Sequence, residues 1–102
     1  MENKNTYLPL PDCVTINNSE IHGLGLFSTK DISAGTLIGI THVKDDRFQD
    51  GYIRTPLGGF FNHSDVPNCE AIQSGDFILL KTIKKILAGE ELTAFYWLYE
   101  MK

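Results

Sequence analysis

Three short segments of this 102-residue chain hold residue types that could do chemistry. The first is His22-Gly23-Leu24-Gly25-Leu26-Phe27. Two glycines one residue apart open backbone conformations closed to other residues and let a ligand approach main-chain atoms. Alone, such a pair fits a β-bulge more readily than a cofactor contact. With no third glycine and no helical pattern behind it, it is not the dinucleotide-binding fingerprint. The second segment is Phe60-Phe61-Asn62-His63-Ser64-Asp65-Val66-Pro67-Asn68-Cys69. Its donors and acceptors beside two aromatic rings suit recognition of a flat polar ligand. They equally suit a polar turn in which Asn62 and Ser64 satisfy backbone groups and His63 is structural. The third is Ile86-Leu87-Ala88-Gly89-Glu90-Glu91-Leu92-Thr93-Ala94-Phe95-Tyr96, a turn running into a strand. A tyrosine at that strand end could aim its hydroxyl into a cleft, although Tyr96, Trp97 and Tyr99 would also serve as core or rim aromatics.

The elements that must position these segments read as short strands. Helical periodicity is poor, and turn residues recur every eight to twelve positions. Cys13 to Ile16 reads as a first strand closed by Asn17-Asn18, and Glu20 to Ser28 alternates around its glycines. The β-branched run Thr36 to Val43 is the clearest strand. Lys44 to Asp50 is polar and reads as a loop or one helical turn. Asn68 to Gln73 and Phe77 to Ile83 flank Ser74-Gly75-Asp76 and read as a hairpin. Leu92 to Tyr96 makes a last strand. No internal repeat, low-complexity tract or linker is evident. The class is mainly β.

Composition bounds the functions available. The length fits one domain, 1–102, and a hydrophobic fraction of 42% supports a real core rather than disorder. The net charge of −4 argues against nonspecific nucleic-acid binding and slightly favours a basic protein or peptide partner. No segment reads as a membrane span or a secretory leader, so a soluble intracellular protein is expected. Cys13 and Cys69 read as reduced thiols. With His22, His42 and His63 they form no close ligand pair, so no metal is expected. His42 reads as a half-buried strand residue. The charged run Asp45-Asp46-Arg47 with Asp50 reads as a solvated loop, or as a substrate entrance attracting lysine-rich peptides.

Taken together, in this order, the three segments resemble the SET domain of protein lysine methyltransferases. Gly23-Leu24-Gly25-Leu26-Phe27 is followed by Asp31-Ile32, Gly35 and Ile38. The family's Arg-Phe-Ile-Asn-His-Ser-Cys-x-Pro-Asn hallmark appears as Gly59 to Asn68. Its closing Gly-Glu-Glu-Leu-Thr…Tyr appears as Gly89 to Thr93 with Tyr96. The motif-bearing core runs over 21–99. The resemblance implies a β-clip fold of several small curved sheets, with little helix and a C-terminal pseudoknot that brings Asn62-His63 beside the final segment. It implies S-adenosylmethionine as cofactor, bound by Gly23, Leu24, Gly25, Asn62 and His63. Tyr96 would be the catalytic residue beside the transferring methyl group. On composition, Tyr52, Phe61, Trp97 and Tyr99 are the candidates for a channel receiving the substrate lysine.

Departures from the family pattern are equally specific. Gly59 stands where the family usually has Arg, Asp65 where it has Cys, and Phe95 where it often has Asp before the last Tyr. The cysteine clusters that flank many SET domains are missing, so no structural zinc is expected. Only six residues follow Tyr96, which leads to two expectations: a short lid, or a homodimer whose second subunit completes the site. The main rival is a catalytically silent SET-fold protein-interaction module, motivated by Gly59 and Phe95. A β-clip carbohydrate- or ice-binding domain shares the Asp-Ile-x-x-Gly turn but leaves Asn62-His63-Ser64 without a purpose.

Overall fold

A computed structural model describes residues 10–49 and 51–95 of the chain. Eight strands and one short helix follow in order: β1 (Val14–Asn18), β2 (Leu24–Ser28), β3 (Leu37–Lys44), β4 (Tyr52–Arg54), α1 (Pro56–Phe60), β5 (Asn62–His63), β6 (Cys69–Ser74), β7 (Phe77–Thr82) and β8 (Glu91–Ala94). The mainly β reading holds. Strands run β1-β2-β8-β6-β7-β3-β4, with β5 set against β8. All pairings are antiparallel except those of β8 with β5 and with β6. Those two parallel contacts draw chain-distant segments to the same strand.

Several boundaries differ from the sequence reading. Asn17 and Asn18 are not a turn: they belong to β1, opposite Gly25 and Leu24. The turn falls later, at Ser19 to Gly23, where Ser19 N donates to Gly23 O at 2.8 Å. Ser19 Oγ also caps that turn by accepting from Ile21 N at 2.9 Å. Residues between Asp50 and Phe61 carry no clear pattern, yet they form β4 and α1. Thr55 starts α1 by accepting from Gly58 N at 3.2 Å, with Pro56 in the first turn. The Thr55 hydroxyl also donates to Ile40 O at 2.6 Å, tying the helix to β3. His42 is buried at 3% exposure rather than half-buried. The hairpin of β6 and β7 is found as expected, in register from Cys69–Thr82 to Ser74–Phe77.

The core gathers Val14, Leu26, Ile32, Ile38, Leu57, Phe61, Cys69, Leu80, Ile86, Leu92 and Ala94. It is threaded by a repeated corner that inspection of the sequence overlooks. Ile32-Ser33-Ala34-Gly35 and Ile86-Leu87-Ala88-Gly89 face each other, and Ile32 and Ile86 exchange both main-chain hydrogen bonds, at 2.7 and 2.8 Å. Gly35 N donates to Thr82 O at 2.8 Å, and Gly89 N donates to Ser28 O at 2.9 Å. The Thr82 hydroxyl donates to Ser33 O at 2.7 Å, and the Ser28 hydroxyl to Leu87 O at 2.6 Å. Both glycines have positive φ, +82° and +90°, which a side chain would strain. The corners are related by an approximate two-fold through the Ile32–Ile86 bridge. One delivers the chain into β3 and the other into β8.

Among the described residues, no helix is long and apolar enough to cross a membrane.

Candidate active site

The second corner sends Glu91 into β8 opposite Phe27, while β5 aligns Asn62 with Thr93 and His63 with Ala94. The result is a polar knot over Gly25. Asn62 Nδ2 donates to Glu91 Oε2 at 2.8 Å and lies 3.1 Å from Ser19 Oγ. It is also 3.2 and 3.3 Å from the carbonyl oxygens of His22 and Leu24. The Ser19 hydroxyl donates to the same carboxylate, 2.9 Å from each oxygen. Carboxylate and carbonyl oxygens only accept, so the neighbours dictate which way the Asn62 amide points. No hydrogen bond among the described residues engages Asn62 Oδ1.

Gly25 is required beneath this knot. A Cβ there would run into the Glu91 carboxylate and stand 3.2 Å from Asn62 Nδ2. Gly25 therefore serves a close approach of the two segments rather than a bulge, while Gly23, at φ +50°, closes the turn from Ser19. Leu24, between the two glycines, is exposed.

Asn68 explains the end of the second segment. Its Nδ2 donates to Glu91 O and its Oδ1 accepts from Thr93 N, both at 2.8 Å, so one side chain clamps β8 on either side of Leu92. His63 Nε2 lies 3.0 Å from Asp65 Oδ1, and the His63 ring lies 4.9 Å from that of Phe95 at 55°. The departures at positions 65 and 95 thus both contact His63. Asp65 is almost fully exposed, so the pair orients His63 more than it stabilises the fold.

Of the residues singled out from sequence, Asn62 comes together with Gly23, Leu24 and Gly25, while His63, next to it on β5, lies against Ala94, Asp65 and Phe95. Phe61 joins the buried core. Tyr52 sits on β4, with its ring edge-on to His42 and its hydroxyl 3.4 Å from Gln73 Nε2, so four strands separate it from β2 in the sheet order. Tyr96, Trp97 and Tyr99 lie outside the described residues. Sequence reasoning missed Ser19 and Glu91. Glu91 was in view within Gly89 to Thr93 but reads there as a turn residue, and Ser19 offers no local signal.

The electrostatics single out Glu91. Among the described residues the ion pairs are Arg47–Asp45 and His63–Asp65, so no cation offsets the Glu91 carboxylate. The Arg47 hydrogen bond pulls Asp45 down to about 2, marking a self-contained surface pair. Burial pushes the Cys69 thiol up to about 12, which keeps it out of thiolate chemistry. Cys13 and Cys69 are both free. No group of three or more His, Cys, Asp or Glu is placed to hold a metal ion among the described residues. A carboxylate with no cation beside it among the described residues, next to an open amide oxygen, suits a ligand bearing an ammonium group.

Comparison with known proteins agrees with this geometry. Residues 41–97 match the SET domain family. Over 91% of its length the chain is 31% identical to the histone-lysine N-methyltransferase trithorax of Drosophila virilis, of which it spans 3%. A shorter match, 44% identical over 40% of the chain, is to the mouse histone-lysine N-methyltransferase SMYD3, of which it covers 10%. Among solved structures, a proposed histone methyltransferase of Plasmodium falciparum superposes with a TM-score of 0.68 at 21% identity, over 85% of this chain and 95% of that one. The methyltransferase domain of human PR domain-containing protein 2 gives 0.63 at 20% identity, over 84% and 78%.

Proposed function

This chain belongs to the SET-domain family, and from that premise we propose that it is an S-adenosylmethionine-dependent protein lysine N-methyltransferase. The observation that carries the reading is the convergence of Asn62 with Gly23-Leu24-Gly25, with His63 beside it on β5 against the strand that leads to Tyr96. When bound, S-adenosylmethionine supplies a methyl group activated on a sulfonium sulfur. The main chain at Leu24 and Gly25 would hold its methionine end, and Asn62 and His63 its amino-acid and adenine portions. The cradle fits such a molecule, because the Glu91 carboxylate and the Asn62 amide oxygen match an ammonium.

The acceptor must arrive as a neutral amine, whereas lysine has a pKa of about 10.4 in water. Aromatic walls would desolvate the ammonium and lower that value, with in-line positioning giving much of the acceleration. Tyr96 is the residue assigned to orient the amine beside the methyl group. The substrate class is a protein or peptide lysine, and the net charge of −4 favours a basic one. A homodimer that completes the site remains part of this proposal.

Incubation of the chain with methyl-labelled S-adenosylmethionine and a panel of basic proteins tests the reading, with label expected on lysine. Tyr96→Phe should lower transfer by roughly a hundredfold while donor binding persists. Unchanged turnover in that variant removes Tyr96 from its role. The second reading, a silent SET-fold interaction module, draws on Phe95, whose ring packs on His63 where relatives often carry Asp. Calorimetry separates the two, since the module reading requires that no donor binds.

A further inference from the structure

The knot over Gly25 contains a charge that the motif reading leaves without a purpose. Glu91 is half-buried, accepts from both the Ser19 hydroxyl and the Asn62 amide, and meets no cation among the described residues. A carboxylate placed only to hold two neutral donors is a costly choice, since a neutral amide could accept both bonds. Its position has a second effect. By taking Asn62 through its nitrogen it leaves Asn62 Oδ1 as an open acceptor beside its own charge. Gly25 is bare of side chain because the carboxylate lies over it.

We infer that Glu91 is the positioning residue for the methyl donor's α-ammonium: it fixes the Asn62 amide with its oxygen toward the ligand and supplies the counter-charge. The inference rests on the proposed S-adenosylmethionine reading and deepens it. Ser19 has the subordinate task of holding the carboxylate in place, from a turn that Gly23 O closes. The role is distinct from that of Tyr96, which concerns the transferring methyl. It is distinct also from that of Asn68, which holds the main chain of β8 rather than any side chain over Gly25.

The test is calorimetry on the full chain with two probes, S-adenosylmethionine and its analogue lacking the α-amino group. The wild-type chain should bind the analogue about tenfold or more weakly, in keeping with loss of a charge-assisted hydrogen bond. Glu91→Ala should bind S-adenosylmethionine about tenfold more weakly than wild type and should no longer distinguish the two probes. Glu91→Gln keeps an acceptor for Ser19 and Asn62 but no charge. It should fold normally and fall between the two, which covers the case in which the alanine variant is unstable. In turnover, both variants should raise KM for the donor more than they lower kcat. A variant that discriminates between the probes as well as wild type overturns the inference while leaving the methyltransferase reading intact. A wild-type chain that binds neither probe overturns both.

Discussion

The two Ile-x-Ala-Gly corners use the same hydrogen bonds and lead to opposite ends. Ile32 pairs with Ile86, Gly35 with Thr82 and Gly89 with Ser28, so each corner is braced by the strand that precedes the other. Equivalent positions are buried alike: Leu26 and Leu80 at 0%, Ser28 at 3% and Thr82 at 1%, Ile38 at 6% and Leu92 at 0%. The difference lies immediately beyond the glycines. The first corner continues as Thr36-Leu37, and β3 shifts register between Leu37 and Gly39, with Leu37 exposed at 56%. The second continues as Glu90-Glu91, and β8 runs in regular register, with Glu91 turned onto Gly25 and Asn62. Shared local physics therefore builds the frame twice. One carboxylate and the absence of a bulge make one copy a candidate site and leave the other as scaffold.

The strongest way to break the comparison is at the bridge. Ile86→Ala, at a position with 0% exposure, should destabilise the chain by about 3–4 kcal/mol, read as a loss of midpoint in urea unfolding. Ile32→Ala, at 5% exposure, should cost somewhat less. If the corners are mechanically equivalent, both variants lose thermal stability without a selective change in donor affinity per folded molecule. A large asymmetry, with one variant neutral, would show that the corners do not support each other.

Substituting the turn glycines separates stability from binding. Gly35 and Gly89 sit at φ +82° and +90° with nothing within 4 Å of an added Cβ, so the strain is purely of the backbone. Gly35→Ala and Gly89→Ala should each cost about 1–2 kcal/mol. Only Gly89→Ala is expected to weaken S-adenosylmethionine binding as well, because Glu91 follows it by two residues. Equal binding by both variants would mean that β8 does not depend on its corner for aim.

Much of this was legible in the sequence for a physical reason. Motifs such as Gly23-Leu24-Gly25 and Asn62-His63 announce close approach and mixed donors, and the β6–β7 hairpin announces itself by turn chemistry. What stayed hidden depends on contacts between distant segments. β5 is a two-residue strand that exists only because β8 lies beside it, so no local propensity marks Asn62-His63 as strand. Helix α1 contains Gly58-Gly59 and is held by Thr55 bonding to Ile40, which a pattern of apolar spacing cannot reveal. Ser19 and Glu91 are ordinary turn residues until the fold brings them together. The corner repeat escaped because it shares only the Ile-x-Ala-Gly core, and its equivalence resides in reciprocal main-chain bonds.

The smallest expected effect is the most discriminating. Leu37 is the first corner's counterpart of Glu91 and faces solvent opposite Lys81 on β7. Leu37→Glu places a carboxylate after the first corner as one stands after the second. Its stability should change by no more than about 0.5 kcal/mol, because the lost apolar contact is exposed and the new cross-strand partner is a lysine. Donor binding should not change at all, measured by the same calorimetry. A carboxylate at the end of an Ile-x-Ala-Gly corner is not itself a site; it becomes one only where an asparagine amide and a bare glycine meet it. A gain of donor affinity in Leu37→Glu would contradict that, and would shift the explanation from the Asn62–Gly25 cradle to the general negative charge of the chain.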